Sequence, residues 1–176
     1  PVIEILNRRI GVEKAIMTTV HAYTSSQEIV DTAHKKRRRG RAAAVNFVPT
    51  TTGAAKATAK VLTEMEGIFD GVAIRGPVPA GSIADITVIT KKDTSAEEIN
   101  KIFKEEAKGR YDKILGASEE DLVSSDIIKD PRGSIVDLQM TMVVDGNLAK
   151  VMSWYDNEWG YVNQMVKVGV KLAKKI

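Results

Sequence analysis

Apolar side chains recur along this chain at two different spacings, which predict where its strands and helices lie. In residues 12–23 the side chains alternate in a way that is typical of a half-buried strand, with Met17, Thr19 and His21 on one face. Similar runs predict four further strands, at residues 71–75, 82–90, 136–144 and 148–155. The dipeptide Asp145-Gly146 predicts a tight hairpin between the last two of these strands.

Helical spacing predicts four helices, and local signals mark where some of them begin or end. Residues 1–10 form the first, with Gly11 as a suitable C-terminal stop. A capping-box pattern at residues 93–98 begins another helix, which Gly109 ends. A helix is also expected at residues 53–62. The last helix places on one face Val162, Met165, Val166, Gly169, Leu172, Ala173 and Ile176.

The order of these elements indicates the fold class. The predicted order is strand, helix, strand pair, helix, strand pair, helix, with the strands at residues 71–75 and 82–90 as the first pair. Consecutive strands joined by tight turns favour an α+β fold over a strictly alternating one. We therefore predict a single domain over residues 1–176, with a mixed, largely antiparallel sheet and helices mainly on one face. No Gly-x-Gly-x-x-Gly pattern follows any predicted strand, so the chain contains no dinucleotide-binding Rossmann unit. Residues 24–51 show no period and predict a long functional or interaction loop.

Composition narrows the classes of protein and of site. The chain is 43% hydrophobic and 28% charged, which is typical of a folded globular domain. It has no cysteine, which excludes disulfides, thiolate zinc sites and a cysteine nucleophile within these residues. It also lacks a signal-peptide pattern and any run near the roughly 20 apolar residues of a membrane span. We therefore expect a cytoplasmic protein with no membrane partner.

His21 is the first candidate for chemistry. A histidine at a strand end is often only a satisfied hydrogen-bonding group, but an imidazole that titrates near neutral pH also suits a general base. The other histidine, His34, lies in the basic loop and is expected to be solvated or at an interface. Residues 50–53 are threonines and a glycine at a predicted helix start, where they form either a simple N-cap or an anion site.

The net charge is +3, and part of the excess lies in one basic run at residues 35–41. Such a run is usually a solvated loop. Nucleic-acid binding is a second interpretation, but nucleic acid is not the expected partner because no aromatic residues interleave the arginines. Residues 156–161 are interpreted as a turn and a helix cap, with Trp154 and Tyr155 in the core.

Three stretches together resemble the catalytic domain of phosphorylating glyceraldehyde-3-phosphate dehydrogenases. They are His21-Ala22-Tyr23-Thr24, residues 49–56 (PTTTGAAK) and residues 153–161 (SWYDNEWGY). The resemblance implies that the nucleophile is a cysteine in a Ser-Cys-Thr-Thr-Asn segment a few residues upstream of Pro1. It also implies that the chain, which begins with Pro1, is a fragment that is inactive alone. Residues 24–51 would be the family's long S-shaped loop.

The resemblance also assigns roles to individual residues. His21 would be the catalytic base, and Thr24 and Arg75 would bind the substrate phosphate. Inorganic phosphate would be bound by Arg39, Thr52 and Gly53, while Asn157 and Tyr161 would contact the nicotinamide of the cofactor. Three places depart from the usual family pattern: Ser26, Thr32-Ala33 and residues 76–82.

The implied reaction of the full-length enzyme is the oxidation and phosphorylation of glyceraldehyde 3-phosphate to 1,3-bisphosphoglycerate. Its cofactor would be NAD or NADP, and the full-length protein would be a homotetramer. Two alternatives stay open at this point. One is an erythrose-4-phosphate dehydrogenase, and the other is a stand-alone module that binds anions or nucleic acid.

Overall fold

A computed structural model describes residues 1–175, which form four α-helices and one seven-stranded sheet. The helices are α1 (Val2–Arg9), α2 (Ala54–Ala59), α3 (Ala96–Lys108) and α4 (Trp159–Ala173). The strands are β1 (Val12–Ala22), β2 (Val48–Thr51), β3 (Phe69–Gly76), β4 (Ser82–Thr90), β5 (Leu115–Ser118), β6 (Ser134–Val144) and β7 (Leu148–Tyr155). Single turns of 3-10 helix lie at Arg37–Gly40, Ala43–Val45, Thr63–Met65 and Ser124–Ile127.

The sheet is mixed, and its strand order is β2-β3-β1-β4-β7-β6-β5. β1 pairs with β3 and β5 pairs with β6 in parallel, whereas the other four neighbouring pairs are antiparallel. The predicted α+β class with a largely antiparallel sheet is therefore confirmed. β1, an interior strand between β3 and β4, carries His21 next to its last residue, Ala22.

One face of the sheet carries the helices and the hydrophobic core. Apolar residues of α1, α2 and α3 are buried in the same cluster as the inward-facing residues of the central strands. Met17 and Thr19 of β1 lie on this buried face, at 7% and 4% exposure, together with His21, which follows them at the same two-residue spacing along the strand. Ile16, on the other face of β1, is 60% exposed. The prediction of helices mainly on one face is confirmed, and the other face is partly open.

Local sequence signals end and begin the helices as expected. After α1, the Gly11 amide donates to the Leu6 carbonyl with Gly11 at a φ of 89°, a conformation that favours glycine. At α3, the Ser95 hydroxyl accepts a hydrogen bond from the Glu98 amide at 3.2 Å. The β6–β7 hairpin turns through Asp145 and Gly146, both at positive φ.

Two strands were not predicted, and one helix is shorter than predicted. Both missed strands, β2 and β5, are four residues long, so they show too little alternation to reveal a period. β2 lies at the edge of the sheet, where Pro49 is tolerated because an edge strand leaves some amides unpaired. The helix expected at residues 53–62 ends at Ala59.

A further correction concerns β3 and β4, which follow each other in sequence but are not neighbours in the sheet. β1 lies between them, parallel to β3 and antiparallel to β4. The expectation of a directly paired hairpin was therefore wrong here. This insertion has a consequence for the site, because it gives the end of β1 a partner on each side.

α4 has the predicted apolar periodicity, but Gly160 is its only buried residue in the described part of the chain. Its exposed apolar side chains include Met165, Val166 and Leu172, at 53%, 56% and 58% exposure. The predicted face residue Ile176 lies outside the described residues. Within residues 1–175, no helix combines the length and apolar character needed to cross a membrane.

Candidate active site

Four polar residues from four strands lie in one row across the sheet. In the strand register, His21 of β1 is opposite both Arg75 of β3 and Ser82 of β4. Ser82 is in turn opposite Tyr155 of β7. Directly paired residues share a face of the sheet, so the row lies on the face that carries the helices. The register thus assembles a polar cluster from residues far apart in sequence.

The side chain of His21 is held by the backbone of the next residue. Its Nδ1 lies 2.6 Å from the carbonyl oxygen of Ala22. A carbonyl oxygen only accepts hydrogen bonds, so in the neutral ring the proton is on Nδ1 and Nε2 has a free lone pair. The ring also packs edge-on against Tyr155, with centroids 5.9 Å apart. This arrangement leaves Nε2 as the atom that can take a proton.

The surroundings also favour the neutral imidazole. Burial lowers the pKa of His21 below its ordinary 6.5, and the positive charge of Arg75 lowers it further. The hydrogen bond to the Ala22 carbonyl acts in the opposite direction. The net lowering of the pKa means that His21 is mainly unprotonated at neutral pH, as a general base must be.

Arg75 is half-buried beside His21 and is short of partners. Its Nη1 donates to the same Ala22 carbonyl at 3.4 Å, while its buried Nε has no hydrogen-bond partner within residues 1–175. Burial lowers the pKa of Arg75, and the charge of Arg39 adds to the effect. A buried cation with a free donor is stabilised by an anion, because an opposite charge offsets the cost of desolvation.

A second polar cluster lies in the loop after β1. The amide and hydroxyl of Thr24 both donate to Gln27 Oε1, at 2.8 and 2.9 Å. The Thr24 hydroxyl also lies 2.9 Å from that of Ser26, which accepts from Arg39 Nη1 at 3.2 Å. Ser26, one of the departures from the family pattern, therefore connects Thr24 to Arg39.

Arg39 links this cluster to the edge strand β2. Its Nε donates to the Thr50 hydroxyl at 3.0 Å, and its Nη2 reaches the Thr51 carbonyl at 3.5 Å. A groove of about 560 Å³ lies alongside, lined by the basic run, the end of β2 and the middle of β3. The hydrogen bonds of Arg39 thus attach the loop of residues 24–51, which was predicted to be functional, to the edge of the sheet beside the row of polar residues.

Thr52 and Gly53 precede the six-residue helix α2. The Thr52 hydroxyl accepts a hydrogen bond from the Ala54 amide at 3.2 Å, so it forms a local turn at the helix start. A Cβ at Gly53 would meet no atom within 4 Å, so the backbone there borders open space. The N-cap residue of α2 is Gly53, and among the described residues no side-chain hydrogen bond caps this helix, so the side-chain N-cap suggested by the threonines is not formed.

Asn157 and Tyr161, which were predicted together, have different surroundings. Asn157 Oδ1 accepts hydrogen bonds from the Gly81 amide at 3.1 Å and the Ser82 hydroxyl at 3.3 Å. An amide N–H only donates, so the atom that faces it is Oδ1, and Nδ2 is available to a ligand. Tyr161 on α4 is 67% exposed. No hydrogen bond among the described residues connects Tyr161 to the row.

Sequence reasoning missed two residues that organise these clusters, Ser82 and Gln27. Both are polar yet buried, at 1% and 5% exposure. The available signal for Ser82 was its position on the same face of β4 as Ala84 and Ile86, since a hydroxyl on an apolar face needs a partner. Gln27 lies in an irregular loop and carried no periodic signal.

The predicted site residues are not brought together elsewhere on the surface of residues 1–175. A groove of about 660 Å³ lies between α2 and the start of β3, and none of the predicted site residues lines it. Within residues 1–175, no cluster of three or more histidine or carboxylate side chains is suited to hold a metal ion.

The sequence matches the family described as glyceraldehyde 3-phosphate dehydrogenase, C-terminal domain, over residues 1–157. The chain belongs to this family. It is 46% identical over 176 residues to glyceraldehyde-3-phosphate dehydrogenase 2 of Streptomyces avermitilis. It is 48% identical over 176 residues to glyceraldehyde-3-phosphate dehydrogenase of Mycobacterium avium, and 45% identical over 177 residues to that of Zymomonas mobilis.

These matches cover 100% of this chain but only 52% of each of the three relatives. The chain therefore spans about half the length of the glyceraldehyde-3-phosphate dehydrogenases to which it is similar. Family membership agrees with the resemblance carried by the histidine stretch, the threonine-rich stretch and the stretch before α4.

Proposed function

We propose that this chain is the catalytic domain of a phosphorylating glyceraldehyde-3-phosphate dehydrogenase. In the full-length protein a cysteine thiolate would attack the aldehyde of glyceraldehyde 3-phosphate, hydride would leave to the cofactor, and inorganic phosphate would cleave the resulting thioester to give 1,3-bisphosphoglycerate and the free thiolate. The nucleophile would be a cysteine outside these residues, since the chain contains none. The 176-residue chain alone would have no dehydrogenase activity.

The observation that carries this proposal is the tautomer and setting of His21. Its Nδ1 is occupied by the Ala22 carbonyl, its Nε2 is free, and its pKa is lowered. A base in this state can take a proton from a thiol and keep the resulting thiolate nucleophilic. The imidazolium can then return this proton to the oxygen of the hemithioacetal as it forms, and the neutral imidazole can accept it again when the hemithioacetal is oxidised.

The anion sites are assigned from the family pattern. Arg75, with its unpartnered Nε, and Thr24 would bind the phosphate of the substrate. Arg39, Thr52 and Gly53 would bind the attacking phosphate, for which the open backbone at Gly53 leaves room. Thr24 now donates its hydroxyl proton to Gln27 or Ser26, so binding of phosphate there would need that hydroxyl to rotate.

The cofactor is proposed to be NAD or NADP. Asn157 fits a nicotinamide carboxamide because its Oδ1 is anchored and its Nδ2 can donate. A bound nicotinamide dinucleotide would accept the hydride from the substrate. Tyr161, exposed at the start of α4, would lie near that ring in the full-length protein.

The full-length protein is further proposed to be a cytoplasmic homotetramer. The sheet face opposite the helices exposes apolar side chains such as Ile16, Val72 and Met142, at 60%, 50% and 49%. Exposed apolar surface of this kind often marks a contact between protein chains. Sedimentation velocity on the full-length protein tests the assembly, and a monomer at micromolar concentration would contradict it.

The decisive experiment follows cofactor reduction by the full-length protein with glyceraldehyde 3-phosphate. We expect turnover that requires inorganic phosphate and that falls about 10²–10⁴-fold in His21→Asn, the range for loss of a general base. His34→Asn is the matched control, because it removes the other histidine and should leave turnover unchanged. Phosphate-independent turnover, or full activity of His21→Asn, would refute the proposal.

The same assay separates the two alternatives. A higher kcat/KM with erythrose 4-phosphate than with glyceraldehyde 3-phosphate would identify the erythrose-type enzyme. A binding module would instead show no turnover and would bind single-stranded RNA in a salt-dependent manner. In that case, replacing residues 35–39 with alanines would abolish the binding.

A further inference from the structure

We propose that Ser82 is a positioning residue that holds His21 and Asn157 in one fixed arrangement. Its hydroxyl lies between the backbone that anchors the imidazole and the side-chain amide of Asn157. The part of this proposal that concerns the cofactor rests on the proposed function. The structural part of the proposal does not rest on the proposed function, because it is argued from contacts within the described residues.

The first contact is with the strand that carries the base. Ser82 Oγ accepts a hydrogen bond from the Ala22 amide at 3.3 Å. The carbonyl of the same residue, Ala22, accepts from His21 Nδ1 and from Arg75 Nη1. Ser82 therefore holds the amide of Ala22, and the carbonyl of Ala22 orients the His21 imidazole and contacts Arg75.

The second contact is with Asn157. The Ser82 hydroxyl lies 3.3 Å from Asn157 Oδ1, and the Gly81 amide lies 3.1 Å from the same atom. Two adjacent donors on one oxygen prevent the amide group from turning over, because the reversed group would set Nδ2 against an N–H. The orientation that leaves Nδ2 free thus depends partly on Ser82.

A proton count shows that one hydroxyl can serve both partners. Burial raises the pKa of Tyr155 and a hydrogen bond with Ser82 opposes that rise, so Tyr155 is a further group that can share the Ser82 proton. Ser82 has a single proton, which Asn157 Oδ1 can accept, and a lone pair, which accepts from the Ala22 amide. The residue is 1% exposed, so water cannot readily replace either bond. The arrangement also requires close packing at the preceding turn, since Gly81 has a φ of 83° and a Cβ there would lie 2.3 Å from the Ser124 carbonyl.

The first test uses the full-length protein labelled with ²H and ¹⁵N, and its readout does not depend on activity. Ser82→Ala is expected to shift the side-chain amide signals of Asn157 and the backbone amide signal of Ala22. Ser82→Thr keeps the hydroxyl and should restore both. Ser134→Ala is the matched control, because it removes another buried serine hydroxyl, one bonded to Ser153 outside the row.

The second test uses steady-state kinetics of the full-length protein. Losing one neutral hydrogen bond that orients Asn157 should raise the KM for the dinucleotide about 3–10-fold in Ser82→Ala. The KM for inorganic phosphate should change less than about twofold, and Ser82→Thr should restore the cofactor KM. Ser134→Ala should leave both KM values unchanged.

Each outcome is decisive. Unshifted Asn157 signals in Ser82→Ala would overturn the proposal, as would an equal rise of every KM that Ser82→Thr does not restore, since both indicate a merely structural serine. A selective rise in cofactor KM together with shifted signals would establish it. If the parent protein shows no turnover, the proposed function fails, and shifted Asn157 signals would still support the positioning role of Ser82.

Discussion

Arg8 on α1 donates two hydrogen bonds to the carboxylate of Glu106 on α3. Its Nη1 bonds to Oε1 at 3.1 Å and its Nη2 bonds to Oε2 at 2.8 Å. Arg9 adds a bond of 2.7 Å to the same carboxylate. Glu106 is only 6% exposed, so it is a buried charge that depends on these two arginines. The pair joins the first helix of the chain to the helix that packs on the other half of the sheet.

Glu106→Gln should therefore destabilise the chain. The amide keeps one acceptor but loses the charge, and the cost should be about 1–3 kcal/mol because Arg8 and Arg9 are themselves a third exposed. Urea unfolding measures the free energy. Glu105→Gln is the control, since Glu105 is 46% exposed and, within residues 1–175, pairs only with Arg9, and it should cost under about 0.5 kcal/mol. Equal costs for both variants would contradict the prediction.

The same carboxylates predict how stability depends on pH. Hydrogen bonds from Arg8 lower the pKa of Glu4 and of Glu106 below their ordinary 4.5. Such groups bind protons more weakly in the folded than in the unfolded chain, so their contribution is complete above pH 4.5 and is lost as the pH falls below it. Urea midpoints between pH 7 and pH 3 should fall more steeply for the wild type than for Glu106→Gln. Parallel profiles would refute the assignment.

His21 should titrate below 6.5, and removing the neighbouring charge should raise its pKa. In Arg75→Gln the repulsion between two cations is lost, so the protonated imidazole becomes less unfavourable. NMR titration of the His21 ring signals measures the change, with His34→Gln used to assign them. Arg41→Gln, which removes a surface arginine paired with Asp31, should have no effect on His21. An unchanged His21 pKa in Arg75→Gln would be inconsistent with this geometry.

Asp156 should be important for the start of α4. Its Oδ1 accepts from the amides of Glu158 and Trp159, at 2.8 and 2.7 Å, and its Oδ2 accepts from the Lys129 amide at 2.8 Å. Asp156→Ala leaves three amides without this acceptor and should cost about 1–2 kcal/mol, whereas Asp156→Asn should cost less. Thermal and urea unfolding measure both. A neutral Asp156→Ala would show that α4 begins without this cap.

The apolar face of α4 should tolerate charge in this chain. Leu172 is 58% exposed, so Leu172→Lys should change the free energy of unfolding by less than about 0.5 kcal/mol and reduce self-association. Ile99→Lys places the same charge at a residue with 0% exposure and should unfold the chain. Circular dichroism and sedimentation velocity measure the two effects. Loss of folding in Leu172→Lys would mean that α4 is packed.

Much of the fold was predictable because its longer elements carry strong local signals. The alternation in β1, β4 and β6 identified the strands, and the Ser95 cap and the Asp145-Gly146 turn marked boundaries correctly. The single face predicted for β6 was wrong in its second half, where Met140, Met142 and Val144 are exposed because the register with β7 shifts between Asp137 and Met142. The short strands β2 and β5 were missed because four residues show too little of a period. The pairing of β3 and β4 was predicted wrongly because sequence adjacency does not reveal an inserted strand.

The candidate site was likewise predicted only in part from the sequence. Sequence motifs singled out His21, Arg75 and Asn157, but their combination depends on the order of β3, β1, β4 and β7, which is a long-range property. The sequence did not reveal Ser82 and Gln27, because their importance comes only from the hydrogen bonds that they make in the folded chain. The exposure of the α4 face likewise depends on what packs against it rather than on its period.

By itself, the sequence determined the helical and strand periods, the family to which the chain belongs, and the absence of a cysteine from its 176 residues. These are properties of neighbouring residues and of composition. Only the tertiary structure decided that His21 lies between Arg75 and Ser82, that its Nε2 is free, and that one buried hydroxyl reaches both Ala22 and Asn157. The physical reason is that hydrogen bonds between strands are set by register, which pairs residues up to 78 positions apart, as in Val12 and Thr90.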